Sequence, residues 1–208
     1  PNSGEPIIRT PEDILSLDPP RVKDTGCLHK VLEAISLLKS KVDGEMLVVG
    51  MVISPFSLPV MQMGFAQYLD LMYERPELFD RLMRVNEMFC IEWANAQIDA
   101  GATALGYYDP VSSPGMIPRE RYLRTGFEVA RRTLPHIRSG TVTHLASGRA
   151  LPIVDDIAQT GTTVVGISVD DDLAEVKARC QGRLAVMGNL NTIAMRRWTS
   201  EQAEAAVK

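Results

Sequence analysis

Several things are scarce or missing in this chain, and each absence narrows what it is. Cysteine is scarce: Cys27, Cys90 and Cys180 are odd in number, far apart and in no C-x-x-C spacing, which argues against a disulfide framework or a zinc knuckle and leaves buried thiols as the expectation. Contiguous basic charge is missing too. No block exceeds Arg131-Arg132 or Arg196-Arg197 and the formal net charge is -4, so neither a nucleic acid nor an anionic membrane is an expected partner. The longest apolar run, Met46 to Ile53, falls well short of the ~20 residues that cross a bilayer, and no signal peptide is recognisable. A cytoplasmic location is the expectation. No G-x-G-x-x-G turn follows any candidate strand, which removes the usual mark of a dinucleotide-binding sheet.

What is present suffices for a full core: 208 residues, 45% of them hydrophobic, with no low-complexity stretch. Five short apolar runs stand out as strands: Met46 to Ile53, Thr103 to Tyr108, Thr141 to His144, Thr163 to Ser168 and Arg183 to Gly188. The first reads as a strand covered on both faces. Helical periodicity fills the intervals. Leu28, Val31, Leu32, Ile35 and Leu38 recur on one helix face, and Asp43-Gly44 then turns the chain. Further helices are expected from Pro59 to Glu74, from Pro76 to about Ala100, from Pro118 to about Leu134, from Leu151 to Gln159 and from Asp170 to Gly182. A short helix after Thr10-Pro11-Glu12-Asp13 interrupts an otherwise extended or irregular segment over 1–25.

Solid apolar strands separated by helices describe a parallel sheet with helical crossovers. Of the two architectures on offer, the doubly wound sheet lacks its glycine-rich turn here, so the expected fold class is α/β, a (β/α)8 TIM-type barrel. A complete barrel takes about 250 residues and eight strands, whereas this chain supplies about five βα units. It begins at Pro1 without a methionine and stops at Lys208 within a helix started by Thr199. We therefore expect one domain over 1–208, an internal portion of a longer barrel, whose open sheet edges pair with missing segments or self-associate.

In such a fold ligands collect at the carboxyl ends of the strands. His144 closes a strand there, and its unperturbed pKa suits acid–base work or metal ligation; the plainer alternative is a histidine satisfied by a neighbouring hydrogen bond. Asp109 also ends a strand, where it would orient His144, ligate a cation or fix substrate polarity, or else serve as an Asx-turn residue before Pro110. Asn189 and, more weakly, Ser168 are placed to hydrogen-bond a substrate, although Gly188-Asn189 is also an ordinary turn pair. Tyr107 and Tyr108 alternate, so one points into the barrel and the other toward the helices; Tyr107 is carried as the substrate-facing candidate. Met51, with Met61, Met63 and Met116, offers an adaptable wall for an apolar substrate, the commoner use of methionine being core filling. The acidic run Asp170-Asp171-Asp172 is explained by helix capping, since Glu175 follows Asp172 by three. His29 and His136 fall on the stability side of a barrel and receive no chemistry.

The order of these segments carries a resemblance. Gly50-x-x-Ile53-Ser54-Pro55-Phe56-Ser57-Leu58 comes first, followed by Gln97-Ile98-Asp99-Ala100-Gly101-Ala102-Thr103-Ala104 with Asp109-Pro110-x-Ser112-Ser113-Pro114. Thr143-His144 comes next, before Gln159-Thr160-Gly161 and Met187-Gly188-Asn189-Leu190-Asn191. The sequence resembles the uroporphyrinogen decarboxylase superfamily, and within it the branch of cobalamin-dependent methyltransferases. The resemblance runs from about Met46 to the end and implies a (β/α)8 barrel. It also implies a methyl group passed between a corrinoid protein, which carries the cobalamin, and a small methylated substrate or thiol acceptor. The wall of Met51, Met61, Met63 and Met116 would then serve a corrinoid or an apolar substrate. That branch carries a His-x-Cys pair and a later cysteine on a thiol-activating zinc. Here His144 matches the histidine, but Ala146 stands where the cysteine would be, and alanine cannot ligate. Two alternatives stay open: a cofactor-free porphyrinogen decarboxylase, which would need arginines around several substrate carboxylates, and a ligand-binding barrel without catalysis.

Overall fold

The computed structural model describes residues 5–42 and 44–207. Five strands, β1 (Val49–Ile53), β2 (Ala104–Tyr108), β3 (Thr141–His144), β4 (Val164–Gly166) and β5 (Ala185–Met187), pair in parallel in strict chain order. A doubly wound sheet reverses its strand order at a switch point. This sheet has no such reversal, and it follows the sequence as an arc of a TIM-type barrel does.

Helix α1 (Gly26–Val42) precedes β1; α2 (Pro59–Met63), α3 (Phe65–Glu74), α4 (Pro76–Asp99), α5 (Arg119–Arg124), α6 (Gly126–Thr133), α7 (Val154–Ile157) and α8 (Leu173–Cys180) occupy the crossovers, and α9 (Thr192–Met195) and α10 (Ser200–Val207) follow β5. Two expected long helices are each broken. Gly64, at φ +86, separates α2 from α3, a left-handed position that glycine takes without a Cβ penalty. Thr125 separates α5 from α6, and Gly126 then presses so close to the β1 and β2 loops that a Cβ there would sit 2.4 Å from Ser112 Oγ and 2.9 Å from Phe56 Cδ1. Periodicity reports which face of a helix is apolar, not where a local contact interrupts its axis. The helix of the third crossover is likewise shorter than expected, a 3-10 turn at Leu151–Ile153 running into α7.

Alternation along the strands sorts side chains onto two faces. Val52, Leu105 and Tyr107 pack under Cys90 and Ala94 of α4, Ala130 of α6 and Leu134. Among the described residues no helix covers the opposite face. Val49 and Met51 are exposed there and Ile53 is half-buried, so the expectation that β1 is covered on both faces is corrected: its apolar run is two-sided in sequence but one-sided in packing.

A second core gathers at the carboxyl end around Phe56, Tyr68 and Phe79, whose rings stack and cross at 5.9–6.3 Å, with the Tyr68 hydroxyl donating to the Phe56 carbonyl at 2.6 Å. Ile8 and Ile14 are fully buried in it. The first residues are therefore less irregular than expected, forming two 3-10 turns at Pro11–Ser16 and Val22–Asp24. The apolar stripe of α1 buries only Ile35, while Val31 and Leu38 are exposed. Cys90 and Cys180 are buried as expected, but Cys27, at the exposed start of α1, is not. Asp43, half of the expected turn, lies outside the described residues; Gly44 is left-handed at φ +85. No helix among the described residues is long and apolar enough to cross a membrane.

Candidate functional site

Parallel register carries Ile53, Tyr108, His144, Gly166 and Met187 into one row at the carboxyl edge of the uncovered face. Met51, Gly106, Val142, Val164 and Ala185 form the row beneath. None of these residues carries a formal charge apart from the titratable His144. The two glycines act as slots for their neighbours. A Cβ on Gly106 would lie 2.2 Å from Met51 Sδ, so the Met51 thioether crosses β2, and a Cβ on Gly166 would lie 2.6 Å from His144 Cδ2, so the imidazole leans over β4. On the other side Tyr108 stacks on His144 with ring centroids 5.2 Å apart and planes 7° from parallel. Met51, Val52, Ile53 and Tyr108 line an open pocket of about 200 Å³ beside this stack.

Half-burial lowers the His144 pKa, because removing water penalises the imidazolium more than the neutral ring. The backbone N–H of Ala146 donates to His144 Nδ1 at 3.0 Å, from a residue held in the left-handed region at φ +57. Among the described residues no group of three or more histidine, cysteine or acidic side chains is placed to hold a metal. The zinc site implied by the resemblance therefore does not fit this part of the protein: Ala146 has no donor atom, and the described residues supply no replacement.

Asp109 lies one residue past the His144 row, on the buried side. Its carboxylate accepts three hydroxyl hydrogen bonds at 2.6 Å, from Ser54 and Ser57 on the β1 loop and from Ser112 on its own loop. Burial raises its pKa and the three hydroxyls oppose that rise. It meets His144 through the backbone, its N–H donating to the His144 carbonyl at 2.8 Å. The carboxylate thus clasps two loops together instead of orienting the imidazole, and its partners are hydroxyls, not the backbone of an Asx turn.

Asn189 and Ser168 are held in a comparable framework. Asn189 Nδ2 donates to the carbonyls of Ser168 at 3.0 Å and Asp171 at 2.8 Å, and Ser168 Oγ donates to the Ser147 carbonyl at 2.9 Å. Both residues sit at the mouth, with the side-chain atoms named here turned into the loops. Tyr107 is on the helix side, fully buried, and its hydroxyl has no hydrogen-bond partner among the described residues. Tyr108 is the tyrosine of the open face. Counting from the strand ends would have selected it, since Tyr108 and His144 are both last residues of their strands.

Asp171, expected to share in capping the helix, does something else. It accepts from the backbone of Ala150, Leu151 and Ser168 and from Arg149, joining the β3 and β4 loops, whereas Asp172 alone caps α8 by accepting from the Glu175 N–H. Nothing in a run of three aspartates says which one faces inward.

A family model described as Uroporphyrinogen decarboxylase (URO-D) matches residues 1–208. A uroporphyrinogen decarboxylase of Ralstonia pickettii is 27% identical over 211 residues, covering 92% of this chain and 54% of that protein. A methylcobamide:CoM methyltransferase of Methanosarcina barkeri is 26% identical over 165 residues, covering 78% and 48%. A methyltransferase structure from Methanosarcina mazei superposes with a TM-score of 0.73 at 23% identity, covering 77% of this chain and 48% of that one. The chain spans about half the length of the relatives it matches.

Proposed function

The chain belongs to the uroporphyrinogen decarboxylase family, and on that premise we propose that the protein is a methyltransferase, moving a methyl group between a corrinoid protein and a small methylated substrate or thiol acceptor. Curated relatives include both decarboxylases and a methyltransferase, so membership alone does not choose between the two reactions. One observation carries the choice. The open face at the strand ends presents Ile53, Tyr108, His144, Gly166 and Met187 without an arginine or lysine among them. A porphyrinogen bears several carboxylates that need fixed cations, and a surface of aromatic, thioether and aliphatic groups leaves them unpaired. Arg149, nearby on the β3 loop, is engaged with Asp171 at 3.3 Å.

The corrinoid, held by its own protein docked over the strand ends, would supply the cobalt that exchanges the methyl group. This chain's residues bind and orient. Tyr108 and Met51 form an apolar wall that excludes water from one side of a small molecule, and His144 offers its outer ring nitrogen to a polar atom of it. Asp109, with its three serines, holds the β1 and β2 loops at fixed spacing so that the wall keeps its shape. No step is assigned to zinc. Of the site residues, Asn189 and Ser168 support the mouth, and Tyr107 supports the sheet from behind.

The decarboxylase reading keeps one point in its favour, the larger share of this chain matched by the Ralstonia pickettii enzyme. Incubation of the complete protein with a methylated corrinoid protein separates the readings. A change in cobalt absorbance is expected. Carbon dioxide released from a porphyrinogen instead would replace methyl transfer with decarboxylation, and silence in both assays would leave a ligand-binding barrel.

A further inference from the structure

We infer that His144 is held as its Nε2–H tautomer by the backbone of Ala146, which makes its outward nitrogen a hydrogen-bond donor to an oxygen or nitrogen lone pair on the bound molecule and not a metal ligand. The inference rests on the proposal that the uncovered face is the substrate site, but its geometry is independent of which reaction occurs there.

The Ala146 N–H points at Nδ1 from 3.0 Å, so Nδ1 must present its lone pair. A neutral imidazole then carries its single proton on Nε2. Metal-binding histidines show the reverse arrangement: the ring nitrogen away from the metal keeps its proton and donates it to a carboxylate or carbonyl, leaving the metal-side nitrogen bare. A backbone N–H in that place would face another N–H. Metal ligation through Nε2 would therefore require either this repulsive contact or an imidazolate.

The contact is built into the loop. Ala146 takes its positive φ inside a turn closed by the Gly148 N–H donating to the Leu145 carbonyl at 2.9 Å. Gly148 is wedged against the β2 loop, where a Cβ would fall 2.1 Å from Ser113 Oγ. The ring itself is stacked on Tyr108, and its Cδ2 edge lies against Gly166. Nε2, beside that edge, has no hydrogen-bond partner among the described residues and is left for the bound molecule. The ligand class follows from that polarity. An ether, hydroxyl, carbonyl or amine carries the lone pair that Nε2–H requires, whereas a quaternary ammonium or sulfonium centre carries none and is not the group that meets His144.

Long-range proton–nitrogen correlation spectra of the complete, 15N-labelled protein test this directly, with His144→Gln identifying the His144 signals. A protonated Nε2 with a bare Nδ1, unmoved by added zinc, is expected; an Nδ1–H tautomer or a zinc-dependent shift at His144 would overturn the inference. Zinc affinity provides a second readout. Loss of a true ligand should weaken binding by about tenfold or more, the scale seen even for groups behind a ligand, and no change is expected for His144→Gln. Gly166→Ala, which pushes the ring off β4, is expected to disturb the tautomer signature while circular dichroism stays unchanged; an undisturbed signature in a folded variant counts against the confinement of the ring. Should the tautomer be as stated while both activity assays are silent, the functional reading falls and this inference stands.

Discussion

Asp109 shows what one side chain does when it is removed from water with three donors around it. Ser54, Ser57 and Ser112 are all buried, so Asp109→Ala strands three hydroxyls at once. At about 1 kcal/mol or more for each, the loss should reach about 3 kcal/mol in denaturant unfolding. Asp109→Asn keeps a carbonyl oxygen as acceptor and should cost less; equal losses would mean the carboxylate is not the clasp. His144 adds a dependence on pH. Its folded pKa lies below the ordinary 6.5, so as the pH falls the unfolded imidazole takes up a proton before the folded one does. Stability is therefore lost on acidification through about 6.5, and the loss ends once the pH is below the folded pKa. The difference in unfolding free energy between wild type and His144→Gln should shrink in that window. Taking the difference cancels Asp109, whose raised pKa works in the opposite direction at lower pH.

At the scale of the element, the loops after β3 and β4 are joined by a carboxylate that the sequence disguised as a cap. Asp171→Ala would leave the buried N–H groups of Ala150, Leu151 and Ser168 without their acceptor, for a loss above about 3 kcal/mol. Asp172→Ala should cost only the α8 cap, about 1 kcal/mol. Thermal or chemical unfolding of the two variants checks the order, and a reversed order would remove Asp171 from its role. The capping expectation was thus right for one aspartate of the three. Strand positions were legible because apolar runs and flanking glycines mark them, and the ends of β2 and β3 fell where expected. Helix breaks at Gly64 and Thr125 were not, because their causes are a backbone sign and the contact of Gly126 with Ser112 and Phe56 on two upstream loops.

The whole molecule presents apolar surface on one side of its sheet and along one edge. Leu47, Val49 and Met51 at β1 are exposed, as are Leu37 and Leu38 of α1, and among the described residues β1 is a terminal strand paired only with β2. An unpaired strand edge of this kind templates further pairing. The chain studied by itself should associate with increasing concentration, as read by sedimentation, and Val49→Lys at that edge should weaken the association; a monodisperse monomer at high concentration would contradict the expectation. Read as sequence, the chain determined its class: five apolar strands with helical crossovers and no glycine-rich turn are a barrel pattern, because periodicity and run length are local properties. His144 was legible for the same reason, being the titratable end of an obvious strand. Only the tertiary structure decided that Tyr108 and not Tyr107 stands beside it, that Asp109 turns away to three serines, and that Ala146 sets the imidazole's polarity. Those outcomes depend on the register between strands and on which loop closes over which, quantities that no single segment contains.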